Sequence, residues 1–133
     1  MAEAPTELLG KVPLFSELKG KDLKRLAESM TERWADPGQE IATEGKQGVG
    51  FFVIEEGTAK VSIGGEVKRT LGPGDYFGEI ALISDTPRTA TVTAETRIHC
   101  WAIASWVFRP LVHDNAAVAW HLLDTMATFL TAD

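Results

Sequence analysis

Phe77-Gly78-Glu79-Ile80-Ala81-Leu82-Ile83 and, after a three-residue gap, Pro87-Arg88-Thr89-Ala90-Thr91-Val92 form the stretch whose reading decides this chain. A glycine turn, Gly72-Pro73-Gly74-Asp75, leads into it. One acid and one arginine stand nine positions apart around a very short apolar segment, an arrangement that no packing rule requires. A small phosphorylated sugar does require it, because it needs an anion clamp and a hydroxyl acceptor close together. The planar fork of an arginine donates two hydrogen bonds to phosphate at once. Backbone N–H groups in a tight turn or at a helix start add to the clamp. Gly78 lets the backbone approach a ligand closely, and residues 79–83 are long enough for about one helical turn with its first N–H groups free. Pro87 fixes φ and presents Arg88 from a stiff loop. Thr89 and Ala90 are small enough for their N–H groups to reach an anion. Glu79 repels phosphate and is instead an acceptor suited to a ribose hydroxyl.

Phe-Gly-Glu-Ile-Ala-Leu followed by Pro-Arg-Thr-Ala-Thr-Val resembles the phosphate-binding cassette of the cyclic-nucleotide-binding domain family. That family includes the regulatory subunits of cyclic-AMP-dependent protein kinase, cyclic-nucleotide-gated channels and bacterial catabolite activators. Within the cassette the chain shows no departure from the pattern. The likeness extends over roughly residues 8 to 130, through Val12-Pro13-Leu14-Phe15-Ser16, Pro37-Gly38-Gln39-Glu40-Ile41, Glu44-Gly45, Phe51-Phe52-Val53-Ile54 and Glu56-Gly57. It implies that Glu79 accepts the ribose 2′-hydroxyl, that Arg88 pairs with the exocyclic phosphate oxygens, and that backbone groups of Gly78, Ala81, Thr89 and Ala90 complete the site. Ile80 and Leu82 belong to the same ligand-binding segment. The ligand implied is cyclic AMP or cyclic GMP. Thr89 keeps both open, since its hydroxyl can contact a guanine base, and cyclic AMP is favoured because the chain offers no other guanine reader.

A chain of 133 residues, 44% hydrophobic, is expected to be one domain, residues 1–133, with a core of its own. The net charge of −6 argues against a nucleic-acid surface, which needs a clustered positive face. It also means that positive potential must be concentrated locally to hold an anion. The single cysteine, Cys100, lies in the apolar run Ile98-His99-Cys100-Trp101-Ala102-Ile103 and reads as a buried structural thiol. No apolar run approaches a membrane span, and the acidic start lacks the pattern of a signal peptide. A cytoplasmic home is the expectation.

The pattern along the chain predicts an α+β fold. Its body is an antiparallel β jelly-roll barrel, with N-terminal helices, a short cassette helix and two C-terminal helices. Leu8-Leu9 opens a short helical segment. Leu23, Leu26, Ala27 and Met30 recur at helical spacing, with Gly20 as a cap. From Trp34 onward strands and turns follow, including Phe51 to Ile54 as a buried strand. Ala59, Val61 and Ile63 alternate, and Gly64-Gly65 makes a two-residue hairpin with Val67 and Leu71 on the return. Residues 89–94 and 97–103 are expected to form a further pair of strands. Ser105 is the expected N-cap of a helix toward Val112, interrupted at His113-Asp114-Asn115. A last helix, about residues 116–130, carries Val118, Leu122, Met126, Phe129 and Leu130 on one face, widened by Trp120, Leu123 and Ala127. That helix packs on its own barrel, covers the ligand, pairs with a second copy as a homodimer, or combines these. Trp120 and Leu123 are the candidates for a cap over the base.

Three functions compete at this point. A non-catalytic cyclic-nucleotide sensor, with a rearranging C-terminal helix as output, fits the cassette. A jelly-roll enzyme with a barrel metal would need converging His and carboxylate ligands, whereas His99, His113 and His121 form no His-x-His pair. No catalytic residue, metal ligand or cofactor is therefore assigned. A domain that keeps the fold but no longer binds nucleotide, and acts by protein contact, would not need Glu79 and Arg88. The chain shows no basic recognition helix, so no nucleic-acid or membrane partner is expected. An effector protein, or an effector domain beyond this sequence, would read the signal.

Overall fold

The computed structural model describes residues 3–16, 18, 20–48, 50–78 and 87–131, with backbone alone for 125–126 and 129–131. Its elements run α1 (Thr6–Gly10), a 3-10 turn (Pro13–Phe15), α2 (Lys21–Ser29), β1 (Thr31–Ala35), β2 (Glu40–Ala42), β3 (Gly50–Glu56), β4 (Ala59–Ile63), β5 (Glu66–Leu71), β6 (Tyr76–Phe77), β7 (Thr91–Ala94), β8 (Ile98–Ala104), α3 (Ser105–Asp114) and α4 (Ala116–Thr131). The strands form two antiparallel four-stranded sheets, ordered β1-β8-β3-β6 and β2-β7-β4-β5. The expected jelly roll is thus the observed architecture. The short cassette helix lies outside the described residues.

Alternation along the strands divides the apolar residues between two cores. Ile54, Phe77, Ile98 and Cys100 meet Ala59, Val61, Leu71 and Val92 between the sheets. Phe51, Val53, Trp101 and Ile103 face the other way, onto Phe15, Leu26, Phe108, Leu111, Val118 and Leu122 of the helices. Both faces of β8 are therefore covered, which explains why it is buried almost throughout and apolar except at His99. Phe15 sits at the junction. Its ring lies 5.5 Å from Phe51 in an edge-on contact and 6.1 Å from Phe108.

Local sequence accounts for most element boundaries. Gly20 is the N-cap of α2 at φ 56°, and Leu26 and Ala27 bury its apolar face. Gly64 and Gly65 have φ of 59° and 83°, as a tight hairpin between right-twisted strands demands, and Ile63 pairs with Glu66 across it. Cys100 is 1% exposed, as its apolar neighbours implied. Burial pushes its thiol up to about 11, against a smaller opposing effect of the Arg33 charge. The folded value lies above that of a free thiol, about 8.5. The stability this group contributes is therefore complete below about pH 8.5 and lost as pH rises through about 11. Iodoacetamide at mildly alkaline pH is expected to leave the native protein unmodified and to label the unfolded chain at once; rapid labelling of native protein would contradict this burial.

Four expectations change. Strand structure begins at Thr31, three residues before Trp34. The segments around 89–94 and 97–103 do not pair with each other: β7 joins β2 and β4, while β8 joins β1 and β3. At the corner between them Glu95 and Thr96 donate their N–H groups to Thr58 O. The chain thereby crosses from one sheet to the other instead of folding back as a hairpin. Ser105 is the first helical residue of α3, buried at 3% exposure, and Ala104, in extended backbone, is the cap; it has no side-chain acceptor, so no side-chain cap bond forms. On α4, Val118 and Leu122 are buried one turn apart, whereas Trp120 and Leu123 are 73% and 60% exposed. An α-helix turns about 100° per residue, so these two point away from the face that docks on α3 and the 3-10 turn. The side chains of Met126, Phe129 and Leu130 lie outside the described residues. Among the described residues no helix is long and apolar enough to cross a membrane.

Candidate functional site

Arg88 stands just before β7, and its backbone is held on both sides. Its N–H donates to Lys46 O at 2.8 Å, and its carbonyl accepts from Gly45 N–H at 2.9 Å. The loop between β2 and β3 is itself tied down. Glu44 N–H donates to Thr91 Oγ1 at 3.0 Å, and Glu44 Oε1 accepts from Gly64 N–H at 2.9 Å. Arg88 is thus presented from a braced position, although no regular element contains it.

Two glycines make room for the guanidinium, and the carbonyl of a third anchors it. Arg88 Nη2 donates to Gly50 O at 2.8 Å. A Cβ built at Gly48 would overlap the Nε of Arg88. A Cβ at Gly78 would lie 2.5 Å from Gly50 O and 2.8 Å from Arg88 Nη1. Gly78 also has φ of 91°, a conformation that side chains disfavour, so two independent constraints specify glycine there. The guanidinium carbon lies 5.9 Å from the centroid of Phe52, whose ring stacks on Phe77 at 4.9 Å.

The electrostatics would suit an anion. Arg88 is half-buried, and burial lowers its pKa from the ordinary arginine value. Among the described residues no carboxylate forms an ion pair with it. A partly desolvated cation with one carbonyl contact is stabilised by any anion that reaches its remaining N–H groups. Thr89 is exposed and Ala90 half-buried beside it. Gly78, Arg88, Thr89 and Ala90 therefore flank one region of the barrel wall. Glu79, Ile80, Ala81 and Leu82 lie outside the described residues. Trp120 and Leu123 stand on the solvent side of α4.

Gly48, Gly50 and Phe52 were not among the residues expected at the site from sequence. The signal was present as three glycines within six residues, Gly45-Lys46-Gln47-Gly48-Val49-Gly50, just before an aromatic pair. Such spacing marks backbone that something must approach.

Residues 32–115 match the model of the cyclic nucleotide-binding domain. The cAMP-dependent protein kinase regulatory subunit of Yarrowia lipolytica is 45% identical over 92 residues, 68% of this chain and 24% of that protein. The N-terminal domain of a transcriptional regulator from Streptomyces coelicolor superposes with a TM-score of 0.78 at 30% identity, covering 92% of this chain and 89% of the other. The regulatory domain of Toxoplasma gondii PKA, crystallised with cAMP, gives 0.77 at 33% identity, covering 86% of this chain and 45% of that one. The chain spans from 10% to 29% of the length of the curated relatives it matches.

Proposed function

The chain belongs to the cyclic nucleotide-binding domain family, and from that premise we propose that it is a non-catalytic sensor whose Arg88 holds the phosphate of a cyclic nucleotide. The observation that carries this reading is the half-buried Arg88 guanidinium, braced by loop and glycines and lacking a carboxylate partner among the described residues. Backbone N–H groups of Gly78, Ala81, Thr89 and Ala90 complete the phosphate site, and Ile80 and Leu82 line it. Glu79 accepts the ribose 2′-hydroxyl. Cyclic AMP is the favoured ligand over cyclic GMP, supported by the Toxoplasma gondii PKA domain crystallised with cAMP.

Binding draws the cassette toward the phosphate and shifts α4, with Trp120 or Leu123 moving over the base. The shift is limited by the ligand's differential affinity for the two arrangements. An effector protein, or a further domain, reads that change.

Glu79→Gln tests the ribose half of the site. The variant is expected to fold normally and to lose much of the preference for cyclic AMP over its 2′-deoxy analogue. Competition binding with the two ligands measures the ratio; a ratio equal to wild type would remove Glu79 from the hydroxyl contact.

A further inference from the structure

On the helix-facing side of β8, away from Arg88, His99 is buried at 7% exposure. Its Nε2 lies 2.6 Å from Glu32 Oε2. The Trp34 ring stacks on it at 4.0 Å, almost parallel. Its other nitrogen, Nδ1, is buried without a hydrogen-bond partner and lies 3.6 Å from Glu55 Oε2. A buried polar atom left in this state needs an explanation.

A bulge supplies the setting. In regular pairing, consecutive residues of a strand point to opposite faces, so Glu55 and Glu56 would diverge. Here Ile54 pairs with Cys100 and Glu56 with His99, so one extra residue is accommodated in β3. Bulges of this kind re-aim side chains. The result brings ligand atoms of Glu55, Glu56 and His99 within 4.8 Å of one another. Glu55 is oriented further by Trp101, whose Nε1–H donates to Glu55 Oε1 at 2.7 Å.

We infer that Glu55, Glu56 and His99 form a binding site for a zinc-class divalent cation. The donor set decides the class. One imidazole nitrogen with two carboxylates suits zinc and neighbouring first-row ions, whereas magnesium and calcium favour oxygen alone. The carboxylate on the far ring nitrogen is the arrangement that orients a metal-bound histidine: Nε2–H donates to Glu32, which leaves the Nδ1 lone pair toward Glu55 and Glu56. Three protein ligands leave a coordination position open for water or for a group from another molecule. The site is independent of the nucleotide reading. It was not legible in the sequence, because adjacent glutamates and a distant histidine carry no ligand spacing.

Zinc chloride and cobalt chloride titrated into the full chain test this directly. Zinc is expected to raise the melting temperature, and magnesium at equal concentration to leave it unchanged. Cobalt is expected to give visible bands without a thiolate band in the near ultraviolet, since Cys100 points into the opposite core. Glu32→Gln should weaken zinc by about 10–100-fold through loss of ring orientation. Glu56→Ala, at an exposed position, should keep the metal-free melting temperature and weaken zinc further. In ring-nitrogen NMR, the His99 Nδ1 resonance should shift on zinc addition. Failure to bind zinc, or zinc affinity unchanged in Glu56→Ala, would overturn the inference and leave His99 as a structural side chain packed between Glu32 and Glu55.

Discussion

Arg88→Ala is expected to lose about thirty-fold to a few thousand-fold in cyclic-nucleotide affinity while retaining the fold. The estimate follows from truncating one member of a desolvated charge pair, which costs about 2–5 kcal/mol, at about 1.4 kcal/mol per decade. The free protein has already accepted much of the desolvation of this cation, since Arg88 is half-buried and its pKa is lowered by that burial. Phosphate binding in the wild type therefore gains a preorganised fork, which the alanine variant lacks. Arg88→Lys is expected to fall between the two, because an ammonium is a point charge that cannot donate in parallel. Its shorter reach toward Gly50 O also forgoes the contact that now aims the guanidinium. Calorimetry on the three proteins gives the series. An alanine variant within threefold of wild type would place the phosphate elsewhere.

The second large effect concerns stability. Phe108 is fully buried on α3 and meets Phe15, which in turn meets Phe51 of the sheet. This aromatic chain couples the C-terminal helices to the barrel. Phe108→Ala is expected to cost about 3–5 kcal/mol, the sum of lost transfer energy and an unfilled cavity. For a domain of this size the melting temperature should fall by on the order of 10–20 °C. Pro110 lies two residues further along α3 and already removes one helical hydrogen bond, so the helix depends on this anchor more than a regular one would. Urea unfolding of wild type and variant measures the difference. A loss under about 1 kcal/mol would mean that the site collapses around the smaller side chain.

The sequence carried local information best. The α2 face, the Gly64-Gly65 hairpin and the buried Cys100 were legible because each depends on a local period or a single turn. The crossing at Glu95 to Arg97 was not. A strand that turns a corner into another sheet has the same alternation and the same bounding polar residues as one that folds back. The side chains of Trp120 and Leu123 read as part of a broad apolar face, yet on the described part of α4 only Val118 and Leu122 are fully buried. Width of an apolar face on a helix does not say how much of it a neighbour covers. At the candidate site, Arg88 and Gly78 stood out through their residue types. The loop that braces Arg88 was not, because Gly45 and Lys46 act through backbone groups that any residue possesses.

The bulge in β3 belongs to the same class of hidden feature. It changes the face of one glutamate, and no residue in Ile54-Glu55-Glu56 announces it.

The most direct test of the central claim compares cyclic AMP with adenosine, titrated by calorimetry into refolded, ligand-free wild-type protein. The two share a base and a ribose, and differ in the cyclic phosphate that Arg88 is proposed to hold. Saturable binding of cyclic AMP with little or no heat from adenosine is the expected result. No cyclic AMP binding by a sample shown to be folded, or equal affinity for adenosine, would contradict a phosphate site at Arg88.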